Sequence, residues 1–171
     1  MRERNPLTGA KRVVLCGVLA AVMVALQVAM SPLPNIEPVS LLVMVYTIVF
    51  GRAVYYIVVP FVVLEGLIYG FGIWWFSYLY VWPLWAAVVL WLGRKERTPQ
   101  IWAVASGVFG LSFGGLCALP YLAGGPWAAL SWWLSGIPFD VLHCGGNFVM
   151  ALILQRPLCQ LLCRLRDRMG A

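Results

Sequence analysis

Long apolar runs with few charges are the feature that most limits what this chain can fold into. The run from Val13 to Met30 contains no charged side chain, and only 11% of all residues are charged. Soluble domains carry about 25% charged residues. The sequence therefore predicts an integral membrane protein, and at about 20 residues per span its length allows roughly five to seven helices.

Helix-breaking residues divide the apolar runs into six predicted spans. Two prolines within Ser31–Asn35 end the first span, Gly51-Arg52 forms a turn after the second, and the polar stretch GRKERTPQ separates the fourth from the fifth. The first run is longer than the apolar region of a signal peptide, so we expect it to be retained. The predicted fold class is an all-α membrane protein, a single compact transmembrane domain over residues 1–171, with spans at roughly 11–30, 38–50, 53–69, 77–92, 101–119 and 139–158.

The basic residues favour six spans over five or seven. Cytoplasmic loops of membrane proteins carry an excess of lysine and arginine. With six spans all twelve basic residues fall on one side, which places both termini in the cytoplasm and the chain in the plasma membrane. The net charge of +6 is thereby explained by orientation in the membrane, not by nucleic acid. The basic residues are Arg2, Arg4, Lys11, Arg12, Arg52, Arg94, Lys95, Arg97, Arg156, Arg164, Arg166 and Arg168.

Motifs for catalysis, metal binding and phosphate binding are missing from the sequence. The five cysteines form no CxxC pair and no cluster of zinc spacing, and we predict neither disulfide nor metal. There is no GxxxxGK[ST] loop and no HExxH, and the single histidine has no evident nucleophile beside it. We therefore expect no enzymatic activity and no cofactor, and any ATP-driven step would need an ATPase on another chain.

A polar triad lies inside the last predicted helix. Asp140, His143 and Asn147 are spaced i, i+3, i+7 and so share one helical face. Ionisable groups in a membrane span usually face the protein interior and mark a site. Two alternatives remain open: Asp140 caps the helix that begins after Pro138, or His143 and Asn147 form only a structural bond between helices.

Acidic and aromatic residues on the predicted outer side extend this candidate site. Carboxylates without a basic partner, next to flat aromatic rings, suit a small flat solute with positive charge or several N–H donors. Alternatively, the tryptophans anchor span ends, Glu65 bonds a neighbouring helix backbone, and Glu37 is exposed on a loop. The predicted substrate-binding residues are Asp140, His143, Asn147, Glu65, Trp74, Trp82, Trp133 and Asn35.

Two helices carry stripes of small residues. Ala21, Ala25 and Ala29 follow i, i+4, i+8 in the first, and Gly107, Gly110, Gly114 and Gly115 lie in the fifth. Small residues at this spacing allow close helix approach. The spacing alone is compatible with packing inside the bundle and with docking to another membrane subunit.

Nearly the whole chain resembles the substrate-binding S components of energy-coupling factor (ECF) transporters, the bacterial systems for uptake of vitamins. The resemblance is carried by PNIEPVSLLVMVYTIVFG, EGLIYGFG, GIPFDVLHCGGNFVMALILQRPL and the alanine stripe, although the complete ligand set of the thiamine, biotin and riboflavin members is not matched. It implies a six-helix bundle that captures a vitamin-like solute near the outer surface, between helices 4 to 6 and the loops 31–37, 70–77 and 120–138. It further implies that Ala21, Ala25 and Ala29 dock on a transmembrane coupling subunit driven by two ATPases, and that the bundle topples to carry its solute inward.

Two other functions fit the residues less well. A stand-alone secondary transporter or channel would use Glu65 or Asp140 as an ion relay, but no inverted repeat is evident. A membrane-embedded enzyme would have to use His143 and Asp140 without a visible nucleophile.

Overall fold

The structure is a computed structural model that describes residues 9–33 and 36–169. All regular structure in this part of the chain is helical, which confirms the all-α prediction. Two short 3-10 segments, Gly51–Val54 and Leu119–Gly124, join longer helices. The α-helices are α1 (Gly9–Met30), α2 (Val39–Phe50), α3 (Tyr55–Tyr69), α4 (Ile73–Leu92), α5 (Pro99–Cys117) and α6 (Pro126–Met169).

Five helical stretches in the described residues are long and apolar enough to cross a membrane. The chain therefore has the architecture of a membrane protein, as the charge deficit predicts. The count is five because α2, the first 3-10 segment and α3 form one stretch, Val39–Tyr69. At 12 residues α2 would span only about 18 Å, against roughly 30 Å for the hydrocarbon core. Six separate spans thus stay a prediction.

Helix α2 forms the centre of the bundle. Ten of its twelve residues are buried, from Val39 to Val49, and they pack against α4 and α6. A helix that is apolar on every side is stable only when surrounded by other elements. The remaining helices therefore enclose α2 and direct much of their own apolar surface outward, as expected for a protein in lipid.

Contacts at the two ends of the bundle give the helix directions. Arg12 lies 4.6 Å over the ring of Tyr56 near the starts of α1 and α3, and Gln27 bonds Glu65 near their other ends, so these helices are parallel. Helices α2 and α6 are parallel to each other, because Ser40 at the start of α2 contacts His143, while the Arg166 guanidinium near the end of α6 donates to the Val49 carbonyl near the end of α2. They run opposite to α1 and α3, because Glu37, just before α2, lies close to Glu65, near the end of α3. We call the end with Glu37 and Glu65 the acidic end, and the end with Arg12 and Arg166 the basic end.

Helix α4 begins earlier than predicted. The predicted glycine and aromatic loop shrinks to Gly70–Phe71–Gly72, and α4 starts at Ile73 instead of residue 77. Gly70 has φ +88°, a left-handed conformation that glycine adopts freely, and it ends α3. Trp74 consequently lies on the first turn of α4 and not in a loop.

Helix α6 is a single helix of 44 residues, and the predicted start at residue 139 is wrong. Pro138 lies inside it, because the one backbone N–H that a proline removes is tolerated in membrane helices. The predicted connection 120–138 is thus a 3-10 segment followed by the first turns of α6. Asp140 lies well inside the helix, so the interpretation of Asp140 as a helix cap is wrong.

Candidate functional site

A cavity of about 410 Å³ opens at the acidic end of the bundle. Side chains from α1, α3, α4, α5 and α6 meet there, and the connection between α1 and α2 covers one side. Ligand-binding cavities commonly enclose about 300 to 1,000 Å³, so the volume suits a small organic solute. Its lining residues are Gln27, Met30, Ser31, Leu33, Ile36, Glu37, Glu65, Tyr69, Trp74, Tyr78, Phe113 and His143.

Glu65 on α3 provides a deeply buried carboxylate in this lining. The residue is only 1% exposed, and its Oε2 accepts a hydrogen bond of 3.1 Å from the Gln27 side chain on α1. The other oxygen, Oε1, has no hydrogen-bond partner among the described residues. Glu65 therefore forms a hydrogen bond with a side chain of α1, and not with the backbone of a neighbouring helix as the alternative interpretation of the sequence had it. One of its two carboxyl oxygens remains without a partner among the described residues.

Glu37 lies in the connection between α1 and α2 and folds over the cavity. Its side chain is 17% exposed, so the alternative that it is solvent-exposed on a loop is wrong. Its Oε1 lies 3.7 Å from His143 Nε2, too far for a hydrogen bond, and has no partner among the described residues. Burial, and secondarily the nearby Glu65 carboxylate, raise the pKa of Glu37 to about 8.

His143 is the member of the predicted triad that reaches the cavity. It is 2% exposed, and its Nε2 lies 3.3 Å from the Ser40 hydroxyl at the start of α2. The Phe113 ring on α5 packs against the imidazole edge to face, with 4.8 Å between centroids. These contacts fix the imidazole orientation and leave it facing Glu37.

Asp140 and Asn147 point from α6 toward the α5 backbone instead. An Asp140 oxygen accepts the backbone N–H of Gly114 at 2.9 Å, and the Asn147 amide donates to the Ser106 carbonyl at 3.4 Å. Neither residue lines the cavity. The shared face predicted for the triad is therefore mostly an α5–α6 contact, and solute binding by these two residues stays a prediction.

The glycine stripe of α5 provides the space for this contact. A Cβ on Gly110 would come within 2.8 Å of the His143 carbonyl oxygen, and one on Gly114 would overlap the Asp140 carboxylate. Gly107 lies against Cys144 and Phe148 in the same way. The sequence was compatible with packing inside the bundle and with docking to another subunit. These glycines of α5 pack inside the bundle, against α6.

We expect Asp140→Asn to lower the stability of the chain and leave solute affinity within about threefold. Asparagine keeps an oxygen acceptor for the Gly114 N–H but replaces a charge-assisted bond by a neutral one, which costs roughly 1 kcal/mol. Thermal unfolding in detergent, together with a solute titration on the same sample, measures both effects. A large loss of affinity without a loss of stability would place Asp140 in contact with solute.

The predicted tryptophans separate into three environments. Trp74 lines the cavity, with its ring 5.2 Å from Tyr78 in an edge-to-face pair. Trp82 is fully buried in the core, where it packs on Tyr78 and Phe109. Trp133 is 42% exposed on α6 and does not line the cavity. Trp74 is thus the predicted tryptophan in position to meet a solute.

Some lining residues had not been predicted, and one predicted residue is not described. Asn35 lies outside the described residues. Gln27 lines the cavity without having been predicted, whereas Tyr78 lines it and belongs to the aromatic residues expected on the outer side. Gln27 carries a usable signal, because it is the one strongly polar side chain in the first apolar run.

The alanine stripe of α1 faces outward. Ala21, Ala25 and Ala29 are exposed, whereas Ala20, Met23 and Val24 on the opposite face are buried in the core. Packing inside the bundle, one of the two possibilities for this stripe, is therefore excluded. Docking to another subunit stays a prediction.

The described residues contain no group of three or more histidine, cysteine or acidic side chains placed to hold a metal ion. Fold and site together define an all-α membrane protein with a cavity at one end of its bundle that is lined by apolar, aromatic and acidic side chains. Comparisons with protein-family models, with curated proteins and with solved structures found no match.

Proposed function

We propose that the chain is the substrate-specific subunit of an ATP-driven importer of the ECF type, and that it binds a small vitamin-like solute in the cavity at the acidic end. The observation that carries this proposal is the cavity itself, about 410 Å³ in volume and lined by Glu37, Glu65 and His143. Buried polar groups without partners are costly in a folded protein, and a bound solute would satisfy them.

The arrangement of charge supports an orientation in the plasma membrane. Arg12, Lys95, Arg97 and Arg166 lie at the basic end, near the end of α2. By the positive-inside rule this end faces the cytoplasm, with both termini, and the acidic end faces outward. The cavity then receives solute from outside the cell.

The outward-facing alanines support a partner in the membrane. Exposed Ala21, Ala25 and Ala29 offer a smooth strip on which another helix can approach closely. The chain resembles S components in this feature, and the partner would be a transmembrane coupling subunit with two ATPases. The energy for uptake comes from those ATPases in this proposal.

Solute capture tests the binding half of the proposal. The purified chain should retain a small molecule that mass spectrometry identifies, and that molecule should bind again with a dissociation constant below about 1 μM. Tryptophan fluorescence is a suitable signal because Trp74 lines the cavity. His143→Ala should weaken binding about tenfold or more, through loss of a buried polar contact. The absence of any retained or rebinding solute would contradict the proposal.

Reconstitution separates this function from the second candidate, a stand-alone secondary transporter. The buried Glu65 carboxylate is the observation that favours that candidate, since such groups relay protons in transporters. Proteoliposomes with the chain alone should take up no solute, and adding a coupling subunit, its ATPases and ATP should start uptake. Uptake by the chain alone that follows a pH gradient would favour the second candidate.

A further inference from the structure

Three residues that come together in the cavity lining each carry a buried acceptor oxygen without a hydrogen-bond partner among the described residues. Gln27 Oε1, Glu37 Oε1 and Glu65 Oε1 are buried and have no hydrogen-bond partner among the described residues, and all three residues line the same space. They lie on α1, on the α1–α2 connection and on α3, so the convergence depends on tertiary packing. Buried acceptors are normally satisfied, which indicates a missing group that donates hydrogen bonds.

The charge of the lining limits what that group can be. The ionisable side chains of the lining are Glu37, Glu65, His143, Tyr69 and Tyr78, and neither lysine nor arginine is among them. An anionic solute would find no basic side chain in this lining, and any ionised carboxyl group there would repel it strongly in a poorly solvated site. A solute with positive charge would pair with Glu65 and favour the ionised form of Glu37.

A metal ion fits this site poorly. The acidic residues and His143 do not form a group that could hold a metal among the described residues. Hard cations need six or more oxygen ligands close together, whereas this cavity has a volume of about 410 Å³. The aromatic rings of Trp74 and Tyr78 are partners for an organic cation and not for a metal.

We infer that the cavity takes an organic nitrogenous cation with at least two N–H donors, such as an amidinium or aminopyrimidinium group, held by Glu37 and Glu65. This inference rests on the proposed function in one respect, that the cavity is the solute site. Gln27 orients Glu65 through its amide N–H and offers its own oxygen as a third acceptor. Trp74 and Tyr78 contact the flat part of the solute.

Binding of the cation releases a proton from Glu37. Burial and the Glu65 carboxylate raise the pKa of Glu37 to about 8, so this carboxyl is mostly protonated near neutral pH. The cation favours the ionised form, and the proton leaves to solvent as the solute enters. Apparent affinity should therefore rise with pH until Glu37 is ionised in the free protein, by up to about 100-fold between pH 6 and pH 9.

Benzamidine, benzamide and benzoate test the charge requirement, because they are a cation, a neutral amide and an anion of nearly the same shape. Each is titrated against the purified chain at pH 6 to 9, a range in which benzamidine stays cationic. We expect benzamidine to bind at least about tenfold more tightly than benzamide, since charge-assisted bonds exceed neutral ones, and benzoate not to bind. Equal binding of benzamide, tighter binding of benzoate, or no binding of benzamidine below about 1 mM overturns the inference.

Variants assign the effect to named residues. Glu65→Gln should weaken benzamidine binding by about 10- to 100-fold, and Glu37→Gln should also remove most of the pH dependence. Glu96→Gln is the matched control, because Glu96 is exposed and lines a separate cavity at the basic end. A pH dependence that persists in Glu37→Gln would assign the proton to another group of the lining, such as Glu65 or His143, and overturn the role of Glu37.

The outcomes keep this inference separate from the proposed function. If the retained natural solute is neutral or anionic and the coupling module still drives its uptake, the inference fails and the proposed function stands. If benzamidine binds as expected but uptake never requires the coupling module, the proposed function fails and the cation site stands.

Discussion

Replacing Ala25 with tryptophan should abolish ATP-driven uptake while solute binding by the isolated chain stays unchanged. Ala25 is exposed at the centre of the outward-facing stripe on α1 and does not line the cavity, in contrast to Gln27 on the same helix. An indole there would prevent the close helix approach that small residues allow. Uptake into proteoliposomes that contain the whole transporter, and solute titration of the purified variant, measure the two quantities.

Val104→Trp is the control for this substitution. Val104 is 55% exposed on α5, so an indole there also faces outward but lies on a different helix. It should leave both uptake and binding intact. Normal uptake with Ala25→Trp would exclude the alanine stripe as the docking surface, and lost binding would show that the substitution disturbs the cavity.

Gly110→Leu should destabilise the bundle by about 3 kcal/mol, because the new side chain has no space between α5 and α6. Even a single Cβ at this position would lie 2.8 Å from the His143 carbonyl oxygen and 2.9 Å from the Asn147 amide nitrogen. The helices would have to separate, with loss of the bond from Asn147 to Ser106. Reversible unfolding of the protein in bicelles measures the free energy.

Gly145→Leu is the matched control, since both substitutions put the same side chain into an α-helix in place of glycine. Gly145 is exposed on α6, and a Cβ at this position would have no neighbouring atom within 4 Å. Because leucine is the better helix former by up to about 1 kcal/mol, this variant should be as stable as the parent or more so. Equal stability of the two variants would contradict the tight α5–α6 contact.

The membrane class and most helix positions could be predicted from local sequence alone. Apolar runs long enough to span a bilayer are a property of consecutive residues. Gly70 ends α3 through its own backbone geometry, and Pro32 follows the end of α1 at Met30. The predicted start of α6 was wrong for the same local reason. Pro138 usually signals a helix start or break, whereas here it lies inside a continuous helix.

The candidate site was only partly predictable. Polar groups in apolar helices are expected to face inward, and this rule correctly predicts that Glu65, Asp140, His143 and Asn147 are buried. That rule does not say which buried partner each group meets. Asp140 and Asn147 form hydrogen bonds with the α5 backbone, whereas His143 and Glu65 line the cavity. Which of these environments a buried polar group enters depends on how its helix is rotated and packed against its neighbours.

The sequence by itself determined that the chain is an all-α membrane protein and that Glu37, Glu65 and Asp140 have no lysine or arginine near them along the chain. These properties follow from composition and from the order of residues along single helices. Only the tertiary structure decided that Gln27, Glu37 and Glu65 converge with His143 on one cavity and that Ala25 faces outward. The reason is physical: a helical period places a residue on a face, but packing between helices distant in sequence decides what that face meets.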